Sequence, residues 1–406
     1  MTRFLSIDDL EVGGQRVLVR ADLNVPMQDG AVTDATRIDR LVPTLDALLG
    51  RGARVVVLSH FGRPKGRVAA ELSLRPLAAV LGAALGGRPV AFADDCIGPA
   101  AAAVVDRLED GQIALLENLR FHPGEEANDP DFAAGLAALA DLYVDDAFST
   151  AHRAHASNAA IAALLPAAAG RLMAAELDAL GAALDAPERP VAAIVGGAKV
   201  STKLQVLGNL IAKVDSLIIG GAMANTFLHA MGVDVGRSLC EGDMADRARA
   251  ILAAADEGGC RVLLPADAVI AKALSGEGGH RAVPVAAVPA DSMILDIGPE
   301  TARALGAALG ECRTLVWNGP LGAFEHPPFD AGTIAVARAA ADLTRAGQLR
   351  SVAGGGDTVA ALAHAGVVDD FSYVSTAGGA FLEWLEGREL PGVAALRDAA
   401  RARTGA

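Results

Sequence analysis

Short runs of β-branched and aliphatic residues recur along the chain, each followed by an Ala/Leu-rich stretch whose apolar positions repeat at helical spacing. Runs too short to be helices, alternating with stretches long enough to be helices, predict parallel strands joined by crossover helices on both faces of a sheet. In the first half the candidate strands are RVLVRADL (16–23), ARVVVLSH (53–60), PVAFAD (89–94), QIALLEN (112–118) and LYVDDAF (142–148). In the second half they are VAAIVGG (191–197), SLIIGG (216–221), RVLLPAD (261–267), SMILDIG (292–298), TLVWNGP (314–320) and RSVAGGGD (350–357). The expected fold class is α/β, as two doubly wound, Rossmann-like parallel-sheet domains joined by a hinge helix. AGRLMAAELDALGAAL (169–184) has the apolar spacing of that helix, and DAPERP (185–190) breaks it. The expected limits are 1–168 for the first domain, 169–187 for the connecting helix and hinge, and 188–387 for the second. A last helical stretch, Gly392–Arg403, follows Pro391. Pattern alone lets it pack on either domain, and we expect 388–406 to return to the first.

Length agrees with this division, since 406 residues exceed what one hydrophobic core usually serves. With 52% hydrophobic and 21% charged residues the chain has apolar surface enough to fold. The formal net charge of -14 has the wrong sign for coating nucleic acid or an anionic membrane, so any anion site must be a local basic cluster. At 4% aromatic residues, a base-stacking platform is equally unsupported. Cys96, Cys240, Cys260 and Cys312 lie far apart without C-x-x-C spacing, which points to buried thiols rather than to disulfides or zinc. Asp8, Asp9 and Glu11 stand where a secretory signal would be basic and then apolar, and the weakly charged run 156–170 is too short to span a bilayer. The expectation is a cytoplasmic enzyme, monomeric for want of a long apolar surface stripe.

Polar residues cluster where the candidate strands end, the edge at which open α/β sheets bind ligands. In the first half these are Asp22, Asn24, Arg37, His60, Arg63, Asn118 and Arg120, with His152, Arg153 and His155 in one loop. Arginine forks suit phosphate and carboxylate, and Asp22 and Asn24 can accept from a hydroxyl, so a small phosphorylated carboxylate is the expected ligand. In the second half the edge is glycine-rich: GGAKVSTK (196–203), GGAMA (220–224), NGPLGAFE (318–325) and GGGDT (354–358). Glycine lets amides and helix N-termini approach a phosphate chain closely, which is nucleotide chemistry. Only five of the 35 basic residues are lysines, and Lys199 and Lys203 stand four apart at the expected start of a helix, aimed at one phosphate chain. Asp357 follows three glycines as an oxygen ligand for Mg²⁺. Neither G-x-x-x-x-G-K-[ST] nor G-x-G-x-x-G occurs. Ligand-binding edges in both halves predict a two-lobed enzyme whose site lies in the cleft between them.

Taken in order, RVLVRADLNVP (16–26), SHFGRPKG (59–66), ENLRFHPGEE (117–126), DDAFSTAHRAHAS (145–157), GGAKVSTK, WNGPLGAFE (317–325), GGGDT and STAGGAFLEWLEG (375–387) make the chain resemble the phosphoglycerate kinase family from end to end. The resemblance implies that Asp22, Asn24, Arg37, His60, Arg63, Arg120 and Arg153 hold 3-phosphoglycerate or 1,3-bisphosphoglycerate. It implies that Gly196, Gly197, Lys199, Lys203, Gly220, Gly221, Asn318, Glu325 and the loop Gly354, Gly355, Gly356, Asp357, Thr358 hold ADP or ATP with Mg²⁺, the metal on Asp357. The implied reaction moves the acyl phosphate of 1,3-bisphosphoglycerate to ADP by positioning and charge neutralisation, with Arg37, Lys199, Gly378 and Gly379 in the catalytic roles. Two positions depart from the family's pattern: Ala377 stands where S-T-G-G-G has a glycine, and Thr202 stands where Asp is usual before Lys203. Gly378 and Gly379 are expected to suffice for the anion hole. A kinase of another small carboxylate and a non-catalytic nucleotide or metabolite sensor are the competing readings.

Overall fold

The computed structural model describes residues 4–275 and 277–404, and the chain divides into two compact units. The first runs to Leu177 and is completed by the segment from Glu389; the second is Asp178–Arg388. The first unit holds β1 (Arg16–Arg20), β2 (Met27–Gln28), β3 (Ala31–Val32), β4 (Arg54–Leu58), β5 (Val90–Ala93), β6 (Ile113–Leu116), β7 (Leu142–Asp145) and β8 (Ala167–Ala169). Six of them form a parallel sheet in the order β5-β6-β4-β1-β7-β8, while β2 and β3 make a separate hairpin. Val17, Val19, Val55 and Val57 are fully buried, as strands covered by helices on both faces require. The helix Thr36–Gly50 turns Ile38, Leu41, Leu45, Leu48 and Leu49 into this core. At the end of the chain the helix Pro391–Thr404 joins the same unit, and its Gly392 amide donates to the carbonyl of Ala151 at 2.9 Å.

In the second unit β9 (Val191–Val195), β10 (Ser216–Ile219), β11 (Arg261–Leu263), β15 (Thr314–Asn318), β16 (Arg350–Gly354) and β17 (Tyr373–Ser375) form a parallel sheet in the order β11-β10-β9-β15-β16-β17. The chain winds outward from β9 in one direction and then from β15 in the other, so the switch point falls between the ends of β9 and β15. Each unit is therefore a doubly wound α/β sheet.

The structure redraws several local expectations. RVLLPAD is two strands, because Pro265 has no amide to give a ladder: β11 stops at Leu263 and β12 (Asp267–Ala271) starts afresh. The run around 292–298 is β14 (Met293–Ile297), which leaves the parallel sheet and pairs antiparallel with β12, itself antiparallel to β13 (His280–Pro284). Ala169 closes β8 instead of opening the connecting helix, which runs Arg171–Leu180 across the boundary of the units and continues as one π-helical turn, Gly181–Asp185. Three alanines lack any β-branched signal; pairing with Tyr143–Asp145 of β7 makes them a strand.

Leu45 is fully buried between its helix and β4. Leu45→Ala is expected to cost about 2–5 kcal/mol, read as a lower urea midpoint with an unchanged slope.

Candidate active site

Apart from Arg37, the strand-end residues named for the first unit lie in the segments leaving the carboxyl ends of β1, β4, β6 and β7. The helix Thr36–Gly50 presents Arg37 from its first turn, where Asp34 accepts from the Thr36 amide at 2.9 Å. Arg37 Nη1 then lies 2.9 Å from Asp22 Oδ2 and 2.8 Å from the carbonyl of Asn24. Asn24 Oδ1 accepts from the Gly62 amide at 2.9 Å, and the Gly62 carbonyl accepts from Arg120 Nη1 at 2.9 Å. Asp22, Asn24, Arg37 and Arg120 are thus linked by direct contacts through three strand-end loops. Asn118 holds the base of the group by accepting from the amides of Phe61 and Arg120. Arg63 and Arg153 are exposed, with Arg153 beside His152.

At two of the basic residues burial disfavours the cation. Burial, reinforced by Arg20, Arg120, His155 and Arg37, holds the His60 imidazole well below its ordinary pKa. His155 is buried and pushed down to about 4, first by desolvation and then by Arg120 and Arg20. At these two positions positive charge is disfavoured, and the fixed positive charge of the linked group comes from Arg37 and Arg120. Arg20, fully buried at the end of β1 and close to His60, lies inside the motif RVLVRADLNVP but was not singled out, because as the last residue of the strand proper it stands ahead of the loop residues that mark a ligand edge.

In the second unit the ends of β9 and β15 meet without side chains. A Cβ on Gly196 would lie 1.9 Å from the carbonyl oxygen of Pro320, and one on Gly319 would lie 2.3 Å from the carbonyl oxygen of Gly196. Gly319 has φ +99° and Gly355 φ +98°, the region that favours glycine. Asn318 Nδ2 donates to the Gly354 carbonyl at 2.8 Å, and the Gly319 amide donates to Thr358 Oγ1 at 2.7 Å. Lys203 Nζ donates to Asn318 Oδ1, and burial lowers its pKa despite Glu386 and Asp357. Lys199 and Lys203 do not share a helical turn as expected: the helix starts at Leu204, Lys203 is its N-cap, and Lys199 lies in the preceding turns, exposed. Thr202 uses its hydroxyl locally, donating to the carbonyl of Lys199 at 2.9 Å.

The helices Gly356–Ala365 and Gly378–Leu385 begin side by side, since a Cβ on Gly378 would lie 3.9 Å from the Gly356 amide nitrogen. Their first-turn amides, including those of the exposed Gly378 and Gly379, therefore converge at one place with the positive ends of both dipoles. Ala377 precedes the second helix at φ -100°, buried and unstrained, so alanine fits that backbone without glycine's freedom. Beside these elements lies a cavity of 460 Å³ whose lining includes Gly197, Gly221, Leu239, Phe324, Glu325 and Asp357. Gly220 borders the same turn, where a Cβ would strike Leu321. The apolar part of the lining, Leu239 and Met293–Leu295 among it, escaped the sequence reading because aliphatic residues advertise no chemistry. Asp357 is exposed in the first turn of its helix, an oxygen donor at the cavity wall and the type of ligand Mg²⁺ takes together with phosphate oxygens.

All four cysteines are free; Cys96 lies close to Asp95 and His122, and Asp95 Oδ1 is engaged by His122 Nε2 at 2.7 Å and by the Cys96 amide at 2.7 Å.

A 460 Å³ cavity with glycines and Asp357 in its wall in one unit, and an arginine-lined sheet edge in the other, define the class as a two-unit α/β phosphotransferase. Comparison with known proteins makes it particular. A family model described as phosphoglycerate kinase matches residues 7–388, and the chain belongs to that family. It is 63% identical over 398 residues to a phosphoglycerate kinase of Methylorubrum extorquens, covering 98% of this chain and 99% of that one. It is 62% identical over 393 residues to one from Rhodospirillum centenum, covering 97% and 99%. A solved phosphoglycerate kinase from Coxiella burnetii superposes with a TM-score of 0.91 at 42% identity, covering 98% and 100% of the two chains. One from Pyrococcus horikoshii does so at 0.80 and 31%, with the same coverage. The chain is a kinase.

Two buried carboxylates close β7. Desolvation pushes Asp145 up to about 6 and Asp146 up to about 7, although Asp146 Oδ1 accepts from the Met173 amide at 3.0 Å. Unfolded, both titrate near pH 4, so the folded state binds the extra protons; that stabilisation is complete below about pH 4 and disappears as the pH rises through 6 to 7. Asp146→Asn keeps an acceptor for Met173 and removes one ionisation. Its urea midpoint should fall less than the wild type's between about pH 5 and 8, and equal losses would show that Asp146 does not carry the effect.

Proposed function

We propose that the chain catalyses the reversible, Mg²⁺-dependent transfer of the acyl phosphate of 1,3-bisphosphoglycerate to ADP, giving ATP and 3-phosphoglycerate. The carrying observation is the presence, in one chain, of a linked Asp22–Arg37–Asn24–Gly62–Arg120 edge and of a cavity lined by Gly197, Gly221 and Gly322 with Asp357 at its wall. On this reading Asp22, Asn24, Arg37, His60, Arg63, Arg120 and Arg153 bind the three-carbon acid. Gly196, Gly197, Gly220, Gly221, Lys203, Asn318, Glu325 and the loop Gly354–Thr358 bind the nucleotide. The apolar cavity wall takes the base, while Asn318, tied to both Lys203 and Gly354, sets the lysine against the phosphates.

A terminal phosphate oxygen of ADP attacks phosphorus, the P–O bond to the acyl carbon's oxygen breaks, and the electron pair leaves on a carboxylate. Nucleophile and leaving group are both anions, so no general base, serine or cysteine is required. What the chain must supply is alignment and positive potential: Arg37 and Lys199 at the oxygens of the phosphoryl in transit, and the Gly378 and Gly379 amides as a supporting anion hole. Bound Mg²⁺ would neutralise charge on the nucleotide phosphates, with Asp357 as its protein ligand. The reading carries with it a cytoplasmic monomer, in which Val68, Leu164 and Met231 are scattered exposed apolar residues rather than a patch.

In a coupled assay, ATP should form from 1,3-bisphosphoglycerate and ADP only with Mg²⁺, and preference for another acyl phosphate would defeat the substrate assignment. Arg37→Ala and Lys199→Ala should each lower kcat by about 10²–10³ while changing substrate affinity far less, and unchanged turnover would remove that residue from its role.

Transfer needs donor and acceptor in line with water excluded, so we assign ligand-driven closure to segment 169–190, which contains the π-helical turn, and to residues 385–391. Solution scattering should register compaction when 3-phosphoglycerate and nucleotide are both bound; an unaltered radius of gyration would count against a hinge.

A further inference from the structure

Beneath the proposed three-carbon-acid site lies a buried polar chain that the reaction as described does not use. Arg20 is 0% exposed. Its Nε donates to Ser157 Oγ at 2.8 Å, Nη1 donates to the Ala21 carbonyl, and Nη2 lies 3.2 Å from His60 Nδ1. Ser157 passes the contact on: its hydroxyl donates to Glu125 Oε1 at 2.6 Å and its amide to Oε2 at 3.0 Å. Glu125 is itself 0% exposed and reaches Arg20 through the serine, while Asp145, the register partner of Arg20 on β7, also acts on the guanidinium. The chain runs from the end of β1 to the loops after β4, β6 and β7, the loops that carry His60, Arg120 and Arg153.

A guanidinium has five donors and no acceptor. Facing Arg20 Nη2, His60 Nδ1 must accept, which leaves the ring proton on Nε2. Protonating the ring would set an Nδ1–H against an Arg20 N–H at that same 3.2 Å, two donors facing each other. We propose that Arg20, seated on Ser157 and Glu125, is a positioning residue that fixes His60 as a neutral imidazole with its proton on Nε2, so that His60 meets substrate as a directed N–H donor and not as a cation. The charged and titratable groups that face His60 are Arg20, Arg120, His155 and Arg37, and all of them disfavour the imidazolium, as burial does. The arginines then supply charge, while His60 supplies direction that does not vary with pH across the physiological range. The inference rests on the phosphoglycerate kinase reading only for the identity of the ligand.

The deciding experiment is ¹⁵N NMR of the histidine side chains in the ligand-free full chain, with His60 assigned by the signals lost in His60→Gln. The expected result is an unprotonated Nδ1 and a protonated Nε2, unchanged from about pH 8 down to about pH 5. In Arg20→Met the two tautomers should mix and the ring should titrate closer to its ordinary range. The variant's KM for 3-phosphoglycerate should gain a pH dependence beyond the one that the ligand's own phosphate ionisation gives the wild type, with kcat moving less. Ser157→Ala removes the seat but keeps the guanidinium, and should give the same changes in weaker form; it serves if Arg20→Met does not fold. A protonated Nδ1 in the wild type, or wild-type titration near the ordinary histidine value, would overturn the proposal. Because the spectra are recorded without ligand, inactivity toward 3-phosphoglycerate would defeat the functional reading and leave the tautomer to be decided on its own.

Discussion

A chain with 49 acidic and 35 basic side chains repels polyanions at long range, so it can bind them only where positive potential is concentrated locally. Both units solve this at the same topological place, the carboxyl ends of a parallel sheet, where crossover helices begin and loops are free to vary. Their means differ. In the first unit the charge is carried by arginine forks, which suit a compact ligand bearing carboxylate and phosphate groups. In the second it comes mainly from backbone amides and helix ends, which suit an extended phosphate chain and require that nothing stand in front of them.

That requirement accounts for the glycines at the switch point. Gly196 and Gly319 do more than permit turns: any Cβ there would overlap the opposing backbone, so the ends of β9 and β15 close on each other only because neither has a side chain. Asn318 then spans the gap, holding the Gly354 carbonyl with its amide and Lys203 with its oxygen. Moving any of these groups moves the others. One side chain thereby cross-ties the ends of β15 and β16 to the start of the helix Leu204–Ile211.

The first unit buys comparable rigidity with buried charge. Arg20, Glu125, Asp145 and Asp146 are all withdrawn from water, and isolated burial of such groups is costly. Arg20 and Glu125 offset much of that cost through Ser157, while Asp145 and Asp146 respond by holding their protons to higher pH. Less polar residues at the strand ends would serve stability better than this arrangement does. What it gains is loops whose arginines and histidine stand in defined orientations before ligand arrives.

Much was legible in the linear chain because it depends on near neighbours. Hydrophobic runs separated by helical periods specify alternating strands and helices; glycine runs and arginines just past those strands mark the sheet edges at which we propose that ligands bind; and eight motifs in order specify the family. What neighbours do not encode was settled only by folding. Three alanines became β8 through pairing with β7, and the run at 293–297 joined an antiparallel sheet because β12 lay beside it. Lys199 and Lys203 parted because their helix begins only at Leu204, after both of them. Two histidines that read as basic have their cations disfavoured by burial and by arginines far away in sequence. Composition and spacing set which groups are available, whereas desolvation and long-range contact, which exist only in three dimensions, decide what those groups are.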